Sequence, residues 1–320
     1  MDGASGQSEY KQIFKNCTET VTDSSIMMIS LVPLAIRSGS DILWMNNQAS
    51  STKYCRPIIF MFAKENKKFV QREYASVQNE IDHLIPSSID VDGRNSLVHH
   101  NLTMTMVDGK LINEINDSSD SNCNIRGATP KQMNDFDLIE KLEWLQLSIV
   151  KRGSGNTNDG NTARRFFEDP SFSAKSTGLN RELINRFRVI LGAISSGVAV
   201  DASKFRVFAK ETALLYKKHY DWFYMPPSVH KVLFHGGDII ESLHLPIGIY
   251  SEEAQESRNK DFKRIRQNHT RKMSRLETNE DLIHGLLVSS DPYISSMRKD
   301  FPKKEKPIDS EIAQLLKLSY

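Results

Sequence analysis

The hydrophobic pattern of this chain changes period near residue 116, which divides the molecule into a part that can build a sheet and a part that can build only helices. Between residues 26 and 64 the runs "IMMISLVPLAI", "DILWM" and "YCRPIIFMFAK" are apolar and rich in branched and aromatic residues. Ser, Gly and Asn separate them, so they read as strands of a mixed or antiparallel sheet. Residues 66–84 place Phe69, Tyr74, Val77 and Ile81 near helical spacing and stop before Pro86, predicting one amphipathic helix. "LVHHNLTMTMVDGK" then alternates through Leu102, Met104 and Met106 and breaks at Asp108-Gly109, which predicts a strand ending in a turn.

Between about 116 and 225 the strand signal is gone. "DFDLIEKLEWLQLSIV", "GLNRELINRFRVILGAI" and "DASKFRVFAKETALLYKKHYDWF" are helical in pattern, the last with Asp201 as a candidate N-cap. "GSGNTNDGN" at 153–161 reads as a polar, glycine-rich loop or linker. These patterns predict an α+β fold in which a long, mostly helical insertion hangs on a sheet. A further helix begins near Ser251, and "KDFPKKEKP" starts a tail expected to be loosely ordered. The expected divisions are a sheet portion at 1–115, a helical insertion at 116–240, a helical segment at 241–298 and a tail at 299–320.

At 320 residues with 39% hydrophobic and 26% charged content, the chain can bury one large domain with an insertion, or two domains. The net charge is only +2, so a preference for nucleic acid would have to come from local clustering. Cys17, Cys55 and Cys123 lack paired spacing, which argues against a disulfide framework and for a reducing compartment. There is no 18-residue apolar run and no basic-then-apolar leader. Neither a membrane partner nor secretion is therefore expected, and the protein should be intracellular.

Charge does cluster between Glu256 and Arg275, where eight basic residues face two acidic ones. On a helix over 252–276, Lys260, Lys263, Arg264, Gln267 and Arg271 fall within about 80° of Glu256, while Phe262, Ile265, His269, Met273 and Leu276 gather opposite. A solvated amphipathic helix would also show two faces, but it would mix its charges. A basic stripe headed by a carboxylate suits a phosphate backbone better. In "VHKVLFH", His230 and His235 have metal-ligand spacing, and "NCNIRGATP" offers Cys123, with Arg126 where a second thiolate would complete C-x-x-C. Two histidines and one cysteine fall short of a zinc set, and core or surface histidines remain the alternative.

With these residues in view, "VHKVLFHGGDIIE" followed by "PIGIYSEEAQESRNKDFKRIRQNHTRK" resembles the catalytic subunit of the V(D)J recombinase and the related Transib-type transposases. The similarity extends to "KYCRPIIFMFAKE", "MTMVDGKLINEI" and "NTARRFF", over most of residues 1 to about 298. It implies an RNase H-like mixed sheet, with a helical insertion before a catalytic-glutamate helix. The implied activity is that of a DNA endonuclease and strand transferase using two Mg²⁺ or Mn²⁺ ions held by Asp2, Asp108 and Glu256. Glu253, one turn earlier, competes with Glu256 for that role. The resemblance further implies a zinc site tying the ends of the insertion, matched here by Cys123, His230 and His235. Arg126 departs from it, so zinc binding is expected to be weakened. The implied partners are double-stranded DNA, including transposon-end-like repeats, and a second copy in a homodimer. The implied location is the nucleus, in keeping with the basic runs "KDFKRIR" and "TRKMSR".

Asp2 follows only Met1, so its supporting strand is expected to be incomplete, and the insertion is short beside that of the recombinases it resembles. Together with Arg126 these departures predict an impaired core, a truncated or decayed mobile-element copy or an incomplete gene model. Two alternatives stay open: a non-catalytic nucleic-acid-binding protein using Lys260, Lys263, Arg264 and Arg271, and a helical protein-interaction scaffold.

Overall fold

The computed structural model describes residues 2–5, 25–63, 67–102, 160–251, 253–297 and 307–317. In chain order the strands are β1 (Asp2–Ser5), β2 (Ser25–Leu31), β3 (Ala35–Ser38), β4 (Asp41–Met45) and β5 (Arg56–Met61). Helix α1 (Lys67–Asp82) follows, and then β6 (Ser87–Val91) and β7 (Arg94–Val98). The helices after residue 159 are α2 (Gly160–Glu168), α3 (Pro170–Thr177), α4 (Arg181–Ser195), α5 (Ala202–Tyr220) and α6 (Pro227–His230). A π-helical turn (Lys231–His235) leads into α7 (Gly236–Ser242), and a 3₁₀ turn (Ile247–Tyr250) precedes α8 (Glu253–Asn268), α9 (Arg275–Ser290), α10 (Pro292–Ser296) and α11 (Ser310–Ala313). The fold is α+β. It divides into two compact units, one of Met1–Asp120 with Tyr250–Lys303 and the other of Ser121–Ile249 with Lys304–Tyr320.

In the first unit β1, β2 and β5 make an antiparallel sheet with β2 at its centre. The run "SIMMISL" is buried through Ile26, Met27, Met28 and Ile29, as a strand covered on both faces must be. Alternation sends Met27 and Ile29 to one face, where they meet Val70 and Val77 of α1 together with Ile59. Ile26 goes to the other face and joins Phe262 and Ile265 of α8, Leu282 and Leu286 of α9, and Phe60. Each fully buried aliphatic or aromatic side chain here contributes about 1.5–3 kcal/mol of transfer free energy. The "DILWM" run does not join this sheet. It pairs with β3 in a separate two-stranded ribbon whose residues are mostly exposed.

A second two-stranded ribbon lies between α1 and residue 100, where the sequence pattern predicts no strand before Leu97. β6 pairs with β7 through Asp92-Gly93, both at positive φ (53° and 76°), the type I′ geometry that matches strand twist. The Asp-Gly pair between "SSIDV" and "RNSLV" is the signal that identifies it. The strand expected from "LVHHNLTMTMVDGK" begins as β7, which ends at Val98. Asn101 and Leu102 are not in a strand, and residues 103–110 lie outside the described set. The segments "DFDLIEKLEWLQLSIV" and most of "GSGNTNDGN" also lie outside it.

The second unit packs α4 against α5. Asn180 caps α4 through the Leu183 N–H, and Asp201 caps α5 through the Ser203 and Lys204 N–H groups. Those bonds hold the Asp201 carboxyl below its ordinary value, the Lys204 N–H foremost. Val189, Ile190 and Ala193 meet Phe205, Ala209 and Ala213 in a core that Leu233 joins. The glycines after His235 let α5 come close, since a Cβ on Gly236 would lie 2.8 Å from Phe205 Cε1.

The stretch "KDFPKKEKP" at 299–307, expected to be loosely ordered, lies outside the described residues except for Pro307, and the residues after it are packed. Leu315 and Leu316 are buried in the α4–α5 core, the Asp201 N–H donates to the Leu315 carbonyl at 2.8 Å, and the Lys317 N–H donates to the Ala199 carbonyl at 2.8 Å. Arg188 of α4 holds this segment through Asp309 at 3.0 Å and Glu311 at 2.8 Å.

Candidate nucleic-acid interface

Helix α8 is started by Ser251, whose Oγ accepts from the Glu253 N–H at 3.2 Å. Glu253 and Glu256 occupy the first turn, where negative charge meets the positive end of the helix dipole. Ala254, Arg258, Phe262 and Ile265 recur at helical spacing and are buried. The opposite side presents Glu256, Lys260, Lys263, Arg264 and Gln267 to solvent. The cationic row carries one nearby acid, Asp261, which meets Arg264 at 3.4 Å across one turn. Such an exposed pair is worth a few tenths of a kcal/mol and leaves the row net positive.

The helix expected over 252–276 is corrected by the structure, because α8 ends at Asn268 and α9 begins at Arg275. Ser274 caps α9: its Oγ accepts from the Glu277 N–H and donates to the Glu277 carboxylate, both at 3.2 Å. The S-x-x-E spacing that produces this break is present in the sequence. His269, Met273 and Leu276 are consequently exposed and do not form an apolar side. Arg271 leaves the basic stripe as well. It sits in the turn between the helices with its guanidinium on the Asp281 carboxylate at 2.9 Å, and that bond raises its affinity for its proton. Arg264, His269, Arg271, Asp281 and His284 line an open groove between α8 and α9.

Of the eight basic residues between Glu256 and Arg275, Arg258 and Arg266 are buried. Arg258 is a structural residue that pattern reading placed among the cations. Its guanidinium donates to the Thr52 carbonyl, to the Cys55 carbonyl at 2.9 Å and to Ser289 Oγ at 3.0 Å, binding the β4–β5 loop to α8 and α9. Arg56 adds a bond of 2.9 Å to Ser295 Oγ, and burial lowers its pKa, with Arg258 reinforcing the effect. The signal was the spacing of Arg258 four residues from both Ala254 and Phe262.

Asp2 is the first residue of β1 and stands opposite Met28 in the sheet register. The four residues Asp2–Ser5 pair with β2, with Asp2 at the first position of the strand. β1 also lies beside α8, so the strand bearing Asp2 and the helix bearing Glu256 are neighbours in one unit. Asp108, Cys123 and Arg126 lie outside the described residues. Among the described residues, no three His, Cys, Asp or Glu side chains gather as a metal-ligand set.

The histidine pair is brought together by backbone geometry. Residues five apart on an α-helix point about 140° away from each other, whereas the wider π turn over Lys231–His235 rotates them onto one side. The two rings lie 5.2 Å apart, His230 stacks on Phe234 at 4.7 Å, and His230 Nε2 is buried without a hydrogen-bond partner. His235 itself is buried.

Compared with models of known protein families and with curated proteins, the sequence matches none. No described helix is long and apolar enough to cross a membrane.

Proposed function

We propose that this chain is a DNA-binding protein derived from a transposase of the V(D)J recombinase and Transib class. In this reading the first unit is an RNase H-like core, with Asp2, Asp108 and Glu256 as its carboxylate set and Lys260, Lys263 and Arg264 holding double-stranded DNA. The observation that carries the reading is the exposed face of α8. It has a carboxylate at its head and a cationic row behind it, and it lies beside the strand that begins with Asp2. The antiparallel β1-β2-β5 arrangement, with helices on both faces of β2, supports it.

Carboxylate oxygens suit hard cations, so the set fits Mg²⁺ or Mn²⁺. When bound, two such ions supply charge stabilisation for the attacking and leaving oxygens of a phosphodiester. The residues themselves position the backbone, Glu256 at the head of the helix and the cations along it. The transposon-end-like repeats, the homodimer and the nuclear location belong to this proposal.

His230 and His235 fit a zinc ion as nitrogen donors, the buried unpartnered Nε2 of His230 being a free coordination position. Cys123 is the third ligand in this reading. The zinc would tie the insertion, weakly, because Arg126 contributes no donor.

The test measures metal-dependent nicking of supercoiled DNA together with DNA affinity over a range of salt. Nicking that disappears in Glu256→Gln with affinity retained supports the catalytic reading. A second reading, binding without cleavage, is favoured by the Arg126 departure. Steep salt dependence with no nicking by the wild type selects it. Salt-independent or absent DNA binding overturns both and leaves the scaffold reading.

A further inference from the structure

In the second unit, the C-terminal end of α5 carries a ladder of aromatic rings. Tyr216 and Tyr220 lie 5.8 Å apart, Tyr220 and Trp222 6.4 Å, and Trp222 and Phe223 5.7 Å, with ring planes inclined at 52°, 59° and 71°. The outer two rings are open to solvent, Trp222 at 60% and Phe223 at 40% exposure. The ladder is held rigidly. The Tyr220 hydroxyl accepts from the Asn180 N–H at 2.8 Å, and the Phe223 N–H closes a turn onto the Tyr220 carbonyl at 3.0 Å. Pro226 and Pro227 stiffen the exit. Beside the rings stand Lys217, Lys218 and His219, all exposed, and neither lysine has an ion pair among the described residues. Asp221, at the helix end, is the single acid between Tyr216 and Met225.

We infer that this corner is a stacking platform for single-stranded nucleic acid, separate from the duplex-binding face proposed for α8 and resting on different residues. Unpaired bases offer free π-faces that can lie on the exposed rings of Trp222 and Phe223, and the adjacent lysines meet the phosphates. A protein partner fits less well, because lysine is depleted where proteins bury an aromatic centre. A duplex also fits less well, because its base faces are already stacked on one another. The preformed geometry lowers the ordering cost of binding.

The experiment uses the full chain, oligo(dT) and a duplex of equal length. The single strand should quench tryptophan fluorescence, and Trp222→Ala with Phe223→Ala should weaken single-strand affinity by about tenfold or more while duplex affinity is unchanged. Trp222→Phe should retain most of the single-strand affinity. Lys217→Glu with Lys218→Glu should flatten the single-strand salt dependence by about 0.7 per lysine in log–log slope. Circular dichroism and melting of each variant separate loss of binding from loss of fold. Unchanged single-strand affinity in a folded Trp222→Ala, Phe223→Ala variant overturns the inference, as does a change in sedimentation state with no change in binding. Loss of duplex binding alone, through Lys263→Glu, bears only on the α8 proposal.

Discussion

Arg271 grips Asp281 through side chain and backbone together. The guanidinium bonds reach 2.9 and 3.1 Å, and the Arg271 N–H donates to the same carboxylate at 2.7 Å. One carboxylate thereby fixes the turn between α8 and α9. The side-chain bond from Arg271 and then the backbone bond hold the Asp281 carboxyl below its ordinary value. A depressed carboxyl contributes stability that is fully present above the unfolded value near 3.9 and is lost as pH falls through the lower folded value. Asp281→Asn removes that contribution at neutral pH. Melting curves should show the wild type above the variant from neutral pH down to about pH 5, with the gap closing below about pH 4. A gap that persists undiminished in strong acid would show that the bond does not depend on charge.

Lys263 stands at the middle of the exposed row on α8, and reversing its charge should act on every DNA sequence alike. Lys263→Glu is expected to lower duplex affinity and to reduce the log–log salt slope by about 0.9 for the phosphate it no longer neutralises. Titration at several salt concentrations measures both. The same affinity in variant and wild type would remove the basic row from the interface.

Arg258 is fully buried and supplies donors to two carbonyls and a hydroxyl. Arg258→Met keeps the stem and strands those acceptors, at about 1–3 kcal/mol for each one left without a partner. Denaturant unfolding of the variant should therefore show a loss of several kcal/mol, and Ser289→Ala a smaller one. Equal stability of Arg258→Met and wild type would mean that the β4–β5 loop is held by other contacts.

The proposed zinc ligation can be tested by restoring the missing thiolate. Arg126→Cys should raise zinc stoichiometry towards one and raise the melting temperature in zinc but not in chelator. The stabilisation should be about 2.7 kcal/mol when free zinc exceeds the dissociation constant a hundredfold. A variant that gains neither metal nor stability would separate Cys123 from the histidine pair.

Leu316 closes the α4–α5 core from the far end of the chain and is 3% exposed. Leu316→Ala should cost about 2–5 kcal/mol, as truncation of a buried leucine does. Arg188→Ala, which removes the ion pairs to the exposed Asp309 and Glu311 and the bond to Asn185 Oδ1, should cost much less. Denaturant melts of the two variants compare them directly.

Much of this architecture could be read from residue pattern, for identifiable reasons. "IMMI" declares a strand because it is an unbroken apolar run, and Asp201 declares a helix start because its carboxylate has two N–H groups to satisfy. The exposed order of Glu256, Lys260, Lys263 and Arg264 also followed from spacing alone. Reading failed where a local device outranked periodicity. The Ser274 cap cuts a continuous-looking amphipathic run and removes Arg271 from its face. Asp92-Gly93 builds a hairpin from strands of five residues each, too short and too polar to show a period. Arg258 lies inside although its type suggests surface, because carbonyls rather than carboxylates receive it. The approach of His230 and His235 depends on a single π turn that no spacing rule reveals, and Leu315 and Leu316 belong to a segment too short to show a period.

The seating of Leu315 and Leu316 between α4 and α5 also bears on the order of assembly. The two compact units alternate along the polypeptide, so each is completed by residues made after the other has begun. During synthesis the α4–α5 pair must wait with an open seam until residues 307–317 emerge, and β2 must wait for α8 and α9. Such late, distant closures slow folding and lengthen the exposure of apolar surface. Interruption of translation before residue 315 would release a chain whose α4–α5 core lacks Leu315 and Leu316.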